Sequence, residues 1–250
     1  MAPAGGERLK DKDLKMRSHE MTTSSVAQNS SMIDRGELVG GREYLNPSKW
    51  CASPGKRFFD VVFATILLVF ALPFMLLASL AVLTSPGPVF FASNRMGQWG
   101  KRIRVLKFRT MLHRKELGVQ LTRRGDDRIT KAGRFLRKWK IDELPQFINV
   151  LRGDLSLVGP RPDTDEFLNT LPTYLRPALA SIKPGITSVA TLQFRNEEEL
   201  LSRVPESELT SYYVKTHLPR KVWIDLEYAS QATIFTDVKL LLRTLLAVVN

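Results

Sequence analysis

Cysteine is nearly absent from this 250-residue chain: Cys51 is the single thiol, which excludes an intrachain disulfide and a cysteine-built zinc site. Histidine is almost as scarce. His19, His113 and His217 lie too far apart for a close-spaced metal motif, so catalysis through a bound zinc is not expected. No apolar stretch lies near Met1, and no cleavable secretory signal is expected there. Acidic residues are also outnumbered, 25 Asp and Glu against 37 Lys and Arg, for a formal charge of +12. A surface of that sign seeks anions, and nucleic acid, lipid headgroups and sugar nucleotides all qualify.

What the chain has in quantity is one apolar run. Phe58 to Thr84 carries a single charge, Asp60, at its N-terminal edge next to Lys56 and Arg57. As one straight helix it would measure roughly 40 Å, more than the roughly 30 Å of a bilayer core. Pro73 falls near its middle and is the expected break. Lys56 and Arg57 precede the run, and Arg95, Lys101, Arg102, Arg104, Lys107 and Arg109 follow it. Basic residues at both ends assign both to the cytoplasmic side, which favours a re-entrant hairpin over a tilted span. Three regions result: a polar, unstructured tail over 1–55, a membrane segment over 56–85 and a catalytic domain over 86–250.

Within the last region, Ile103 to Phe108 and Ile186 to Leu192 read as extended. Helices are expected at 132–138, 144–151, 163–171, 175–182, 209–213, 222–229 and 234–249, the last with an apolar face suited to a membrane interface. The fold class is therefore α+β, mainly helical, with a membrane hairpin and interfacial amphipathic helices. The densest chemistry lies in Ile141 to Pro162, IDELPQFINVLRGDLSLVGPRP. Pro145 is tolerated only in the first turn of a helix, so a helix start is expected near Asp142. An acidic first turn is common as a simple cap. A helix N-terminus also favours bound phosphate, and neighbouring carboxylates that point about 100° apart serve different atoms.

KFRTM at Lys107 to Met111, DDRITKAGRFLRKWKIDELPQFINVLRGDLSLVGPRP from Asp126 and KPGIT at Lys183 to Thr187 follow the apolar run in that order. In these motifs the chain resembles the bacterial sugar transferases, monotopic polyprenyl-phosphate phosphoglycosyl transferases, from about Lys56 to its C-terminus. The resemblance implies transfer of a sugar-1-phosphate from a UDP-sugar to a polyprenyl phosphate, with release of UMP, at the cytoplasmic face of a bacterial inner membrane. It implies Asp142 as the nucleophile that forms a covalent phosphosugar, and Glu143 as its partner in binding Mg²⁺ or managing a proton. Lys107, Arg137 and Arg161 match basic positions expected to hold phosphate, and Asp225 in VWIDLEY matches a further acidic position. Nucleotide sugar, polyprenyl phosphate and membrane lipids are the partners implied; nucleic acid is not, and self-association stays open.

Two departures from the family pattern stand out. Leu72 occupies the position before Pro73 where some members have a serine able to satisfy the opened backbone. After KPGIT the chain reads SVATLQFRNEEELL where many members have Gly-Trp-Ala-Gln, so that segment is a candidate for sugar specificity. Two other functions compete: nucleic-acid binding, on charge alone, and an inactive membrane scaffold.

Overall fold

The computed structural model describes residues 46–112, 122 and 125–249. The chain divides between Arg42 and Glu43, and all the elements below belong to the second unit. The tail expected over 1–55 lies outside the described residues up to 45, but its last ten residues are packed onto the domain. The Ser48 amide donates to the Ala229 carbonyl (2.9 Å) and the Trp50 indole donates to Asp237 (2.9 Å). Helix α1, Pro54–Leu83, then starts with Pro54 in its first turn, and the Ser53 hydroxyl accepts the Lys56 amide.

The two half-helices expected either side of Pro73 form one element, because α1 is helical throughout. Proline removes one hydrogen bond, and the Leu, Ala, Phe and Met residues around it are good helix formers or lipid-compatible. Along α1 the buried positions Phe59, Asp60, Ala64, Ala71, Met75, Ala78 and Val82 recur at helical spacing, forming one stripe against the domain. The other side exposes Phe58, Phe70, Phe74, Leu76, Leu77, Leu80 and Leu83. The helix is long and apolar enough to cross a membrane. Yet the domain holds it at both ends. Arg57 donates to the Val150 and Leu151 carbonyls, and Arg109 donates to the Val82 and Ser85 carbonyls (3.1 and 2.6 Å).

Strands β1 (Phe90–Met96) and β2 (Arg102–Phe108) pair antiparallel, from Phe90 opposite Phe108 to Met96 opposite Arg102. Helix α2 (Lys131–Lys138) is capped by the Thr130 hydroxyl, which accepts the Gly133 amide. A 3-10 turn, Ile141–Glu143, leads to α3 (Gln146–Arg152). Asp142 and Glu143 therefore lie in a tight turn before the helix and not in its first turn. Pro145 has no N–H to bond the Ile141 carbonyl at α-helical spacing, and the Leu144 amide takes that carbonyl instead (3.2 Å).

Strand β3 (Ser156–Val158) pairs in parallel with β4 (Gly185–Thr187). A Cβ on Gly185 would stand 2.1 Å from the Gly159 amide nitrogen, so both glycines are required where the strands touch. The extended segment expected over 186–192 ends at Thr187. The Ser188 hydroxyl then caps α6 (Val189–Gln193), two short helices, α4 (Asp165–Leu168) and α5 (Leu175–Ser181), having intervened after β3. Helices α7 (Glu197–Ser202), α8 (Glu206–Tyr212), α9 (Leu218–Ser230) and α10 (Ile234–Val249) complete the chain, with a π-helical turn at Tyr213–His217. One buried cluster joins Phe167, Leu171, Leu175, Leu209, Leu218 and Leu226; another sets Phe59 and Ala64 of α1 against Val150, Leu155 and Leu157. Helix α10 buries Leu240 and exposes Phe235, Leu242, Leu245 and Leu246.

Candidate active site

The turn that carries Asp142 and Glu143 opens with Lys140 in the left-handed region (φ 54°), which swings the two carboxylates inward. Asp142 is 6% exposed, and its Oδ1 has no hydrogen-bond partner. Burial first, and then the Glu143 charge, raise its pKa, while Lys107, Arg137 and Lys140 oppose the rise. An ionisable oxygen that is buried, unpaired and ringed by cations is costly to a fold, and such groups concentrate where chemistry is done.

Glu143 is its opposite. Its Oε1 accepts from Lys107 Nζ at 2.8 Å and from Arg161 Nη2 at 3.5 Å. Burial opposes its ionisation, but Lys107 and Arg161 prevail and hold it well below the usual carboxylate range. The two adjacent acids are thereby driven apart, one toward its protonated form and one firmly ionised. Lys107 comes from the end of β2, where burial lowers its pKa against the pull of Glu143. Arg161 is held strongly protonated, chiefly by Glu143.

Arg161 sits in the Gly-Pro-Arg-Pro turn after β3, and that turn is fixed by two main-chain hydrogen bonds to the β4 segment. The Gly159 amide donates to the Thr187 carbonyl (3.0 Å), and the Gly185 amide donates to the Pro160 carbonyl (2.9 Å). Asp225 on α9 accepts the Ala190 amide at 2.9 Å. Burial pushes the Asp225 carboxyl up to about 7. Asp225, the further acidic position, is thus buried and bonded to the Ala190 amide. It also lines a separate cavity of about 300 Å³ with Lys56, Asp60, Lys183 and Asp237, a cavity that neither Asp142 nor Glu143 reaches.

Arg137, in the last turn of α2, is close enough to Asp142 to favour its ionisation. Its guanidinium is engaged by Glu198 of α7 and touches the Met111 sulfur at 3.8 Å. Thus Asp142, Glu143, Lys107 and Arg161 converge directly, and Arg137 borders them through Glu198. Sequence reasoning missed Lys140, although its charge acts on both acids. It also missed the support beneath α7, where Glu197 accepts from Lys221 (2.9 Å) and shares a 3.0 Å hydrogen bond with His217. The signal was the departing segment QFRNEEELL, whose residues are near in space to motifs far away in sequence.

Among the described residues no group of three or more His, Cys, Asp or Glu side chains gathers as a ready metal cage. Mg²⁺ does not need one, since it commonly takes one or two carboxylates and completes its shell with substrate phosphate and water. The unpaired Asp142 oxygen beside Glu143 fits that donor set.

Residues 51–250 match the family model described as bacterial sugar transferase. A UDP-glucose:undecaprenyl-phosphate glucose-1-phosphate transferase of Caulobacter vibrioides is 39% identical over 197 residues, covering 76% of this chain and 67% of that protein. The enzyme of the same name from Escherichia coli is 37% identical over 76% of this chain but only 39% of its own length. A UDP-N-acetylgalactosamine-undecaprenyl-phosphate N-acetylgalactosaminephosphotransferase of Aeromonas hydrophila is 37% identical over 68% of this chain and 40% of its own. With four-fifths of its length matched by that family model and its acidic and basic motifs drawn into one buried centre, the chain belongs to the bacterial sugar transferase family.

Proposed function

We infer that this protein transfers a sugar-1-phosphate from a UDP-sugar to undecaprenyl phosphate or a similar polyprenyl phosphate, releasing UMP. The observation that carries the reading is Asp142: a buried carboxylate oxygen with no partner, set among Lys107, Arg137 and Lys140, in a chain of this family. Relatives named for glucose and for N-acetylgalactosamine transfer share the lipid acceptor, which supports the reaction class and leaves the sugar to be measured.

In the first displacement a carboxylate oxygen of Asp142 attacks the β-phosphorus of the donor. The bond from that phosphorus to the bridging oxygen breaks, and UMP leaves with the electron pair. In the second, a phosphate oxygen of the polyprenyl phosphate attacks the same phosphorus and expels Asp142, restoring the carboxylate. Two displacements let two unlike substrates use one phosphate site in turn. Lys107 and Arg161, both charged against Glu143, are placed to receive negative charge on the phosphoryl oxygens, and Arg137 is placed to do so once Glu198 yields it. When bound, Mg²⁺ would draw on Asp142 and Glu143 and neutralise diphosphate charge, easing departure of UMP.

The membrane geometry belongs to the same proposal. Both ends of α1 are fastened to one domain, and its outward face is apolar along the whole length, which supports entry and return on the cytoplasmic side of a bacterial inner membrane. The residues 86–250 that carry the centre act as the catalytic domain. UMP release from a panel of UDP-sugars, with polyprenyl phosphate, Mg²⁺ and protein in lipid nanodiscs, tests the reaction. Release with one donor is the expected result, and no release from folded protein with any donor refutes it.

A further inference from the structure

Helix α7 begins with three glutamates that have different partners. Glu197 is held by Lys221 and His217, and burial notwithstanding, those partners bring its pKa down to about 2. Glu199 faces Arg203 at 3.2 Å, one turn further along the chain. Glu198 meets a different cation, Arg137, the guanidinium that also acts on Asp142. Its side chain is 47% exposed although its partner is only 23% exposed, so the carboxylate lies at the open edge of the centre.

A β-phosphorus in reach of Asp142 must lie within about 3–3.5 Å of the attacking oxygen. The sugar is joined to that phosphorus through a single oxygen, so its ring must lie within one side chain's length of Asp142. The border of the centre on the α7 side is made by Glu198, on a backbone fixed by the Glu197 anchor. A carboxylate has two acceptor oxygens and suits a pair of neighbouring sugar hydroxyls. In the structure that carboxylate is paired with Arg137, which is a phosphate-binding group in the proposed transfer.

We propose that Glu198 is the sugar-reading residue of the donor site: it leaves Arg137 when the donor diphosphate takes the guanidinium, and its carboxylate then accepts hydrogen bonds from hydroxyls of the hexose. This rests on the proposed sugar-phosphate transfer. Discrimination between epimers follows physically, because inverting one hydroxyl removes a bond to a charged acceptor and leaves that acceptor desolvated. The relatives, which share the lipid acceptor but differ in the named sugar, need such a reader outside the Asp142 chemistry.

The test compares wild type, Glu198→Gln, Glu198→Asp and Glu199→Gln in nanodiscs. UMP-release kcat/KM is measured for UDP-glucose, UDP-galactose and their N-acetylated counterparts, and Kd for each is measured by calorimetry. Glu198→Gln is expected to change the ratio between the preferred donor and its C4 epimer by about tenfold or more, in Kd as in kcat/KM. Glu199→Gln, which removes the same charge one residue away, is expected to leave the ratio as in wild type. Equal loss for every donor in Glu198→Gln, or no change, overturns the inference, because Glu198 would then merely position Arg137 or do nothing. If wild type binds donors without releasing UMP, the transfer reading fails while the Kd ratios still judge Glu198. Failure to bind any UDP-sugar overturns both.

Discussion

Two buried charge clusters in this protein each set a lysine against two acids and are finished differently. In the first, Lys56 of α1 lies between Asp60 (2.7 Å) and Asp237 of α10 (3.1 Å). The remaining acceptors there are occupied: the Ser156 hydroxyl and Leu157 amide donate to Asp60, while Trp50 and Tyr228 donate to Asp237. In the second, Lys107 and Arg161 converge on Glu143, but the adjacent Asp142 keeps an oxygen unpaired. A closed cluster fixes elements relative to one another. An open one stores an unmet electrostatic demand that a substrate can meet. The closed cluster joins the first helix to the last, and the open one lies where β2, the 3-10 turn and the Pro-Arg-Pro turn meet.

Exchanging what is lost at each cluster should separate the two roles, and the largest effect is expected at the open one. Asp142→Asn should lower UMP release by about 10⁴-fold or more and abolish the phosphosugar adduct seen by intact-protein mass spectrometry. Its melting temperature should hold or rise, since a buried charge with an unpaired oxygen is removed. A melting temperature well below wild type would mean that Asp142 is structural.

Next comes Lys56→Met, which strands two buried aspartates and should cost about 3–5 kcal/mol in denaturant unfolding. Protein that remains folded should keep its turnover number. A large loss of turnover at full folding would break the distinction between the clusters.

Lys107→Met should reduce kcat/KM by about 10²–10³-fold. The sign of its pH effect is fixed by Glu143, whose pKa is depressed by Lys107 and Arg161 against burial. Removing Lys107 raises that pKa, so the acid limb of the pH–rate profile should move to higher pH; a limb that stays in place would separate Glu143 from catalysis.

The smallest effect is expected at Asp225, whose carboxyl is raised by burial to about 7 from an ordinary value near 3.8. The folded protein therefore binds the extra proton between those values, and the stability from it is present below pH 3.8 and lost as pH rises through 7. The contribution to the slope is at most about 1.4 kcal/mol per pH unit. Asp225→Asn should flatten that part of the stability profile and keep the acceptor for the Ala190 amide.

The sequence made much of this legible because its signals were local. The apolar stripe of α1, the β2 strand, helices α2 and α10 and the acid pair each declare themselves within a few turns of chain. The misreadings also have local causes. Pro145 shifted the acid pair out of α3 into a 3-10 turn, and Ser188 capped a helix where an extended run was expected. The last residues assigned to the tail are polar and short of periodicity, yet they pack because Trp50 finds Asp237 across most of the chain. Asp225 illustrates the same limit, since a buried acid that serves a backbone amide is indistinguishable by sequence from one that serves a substrate.

By itself the sequence determined the kind of chemistry: one long apolar run, an acid pair beside a restricted turn, and basic motifs in a family's order, all properties of residue type and short spacing. Tertiary structure alone decided which acid is open and which is paired, that Glu198 borders the centre, and that both ends of α1 are held by one domain. Those outcomes depend on burial and on contacts between residues distant in the chain, where desolvation and a few ångströms set the charge state of each group.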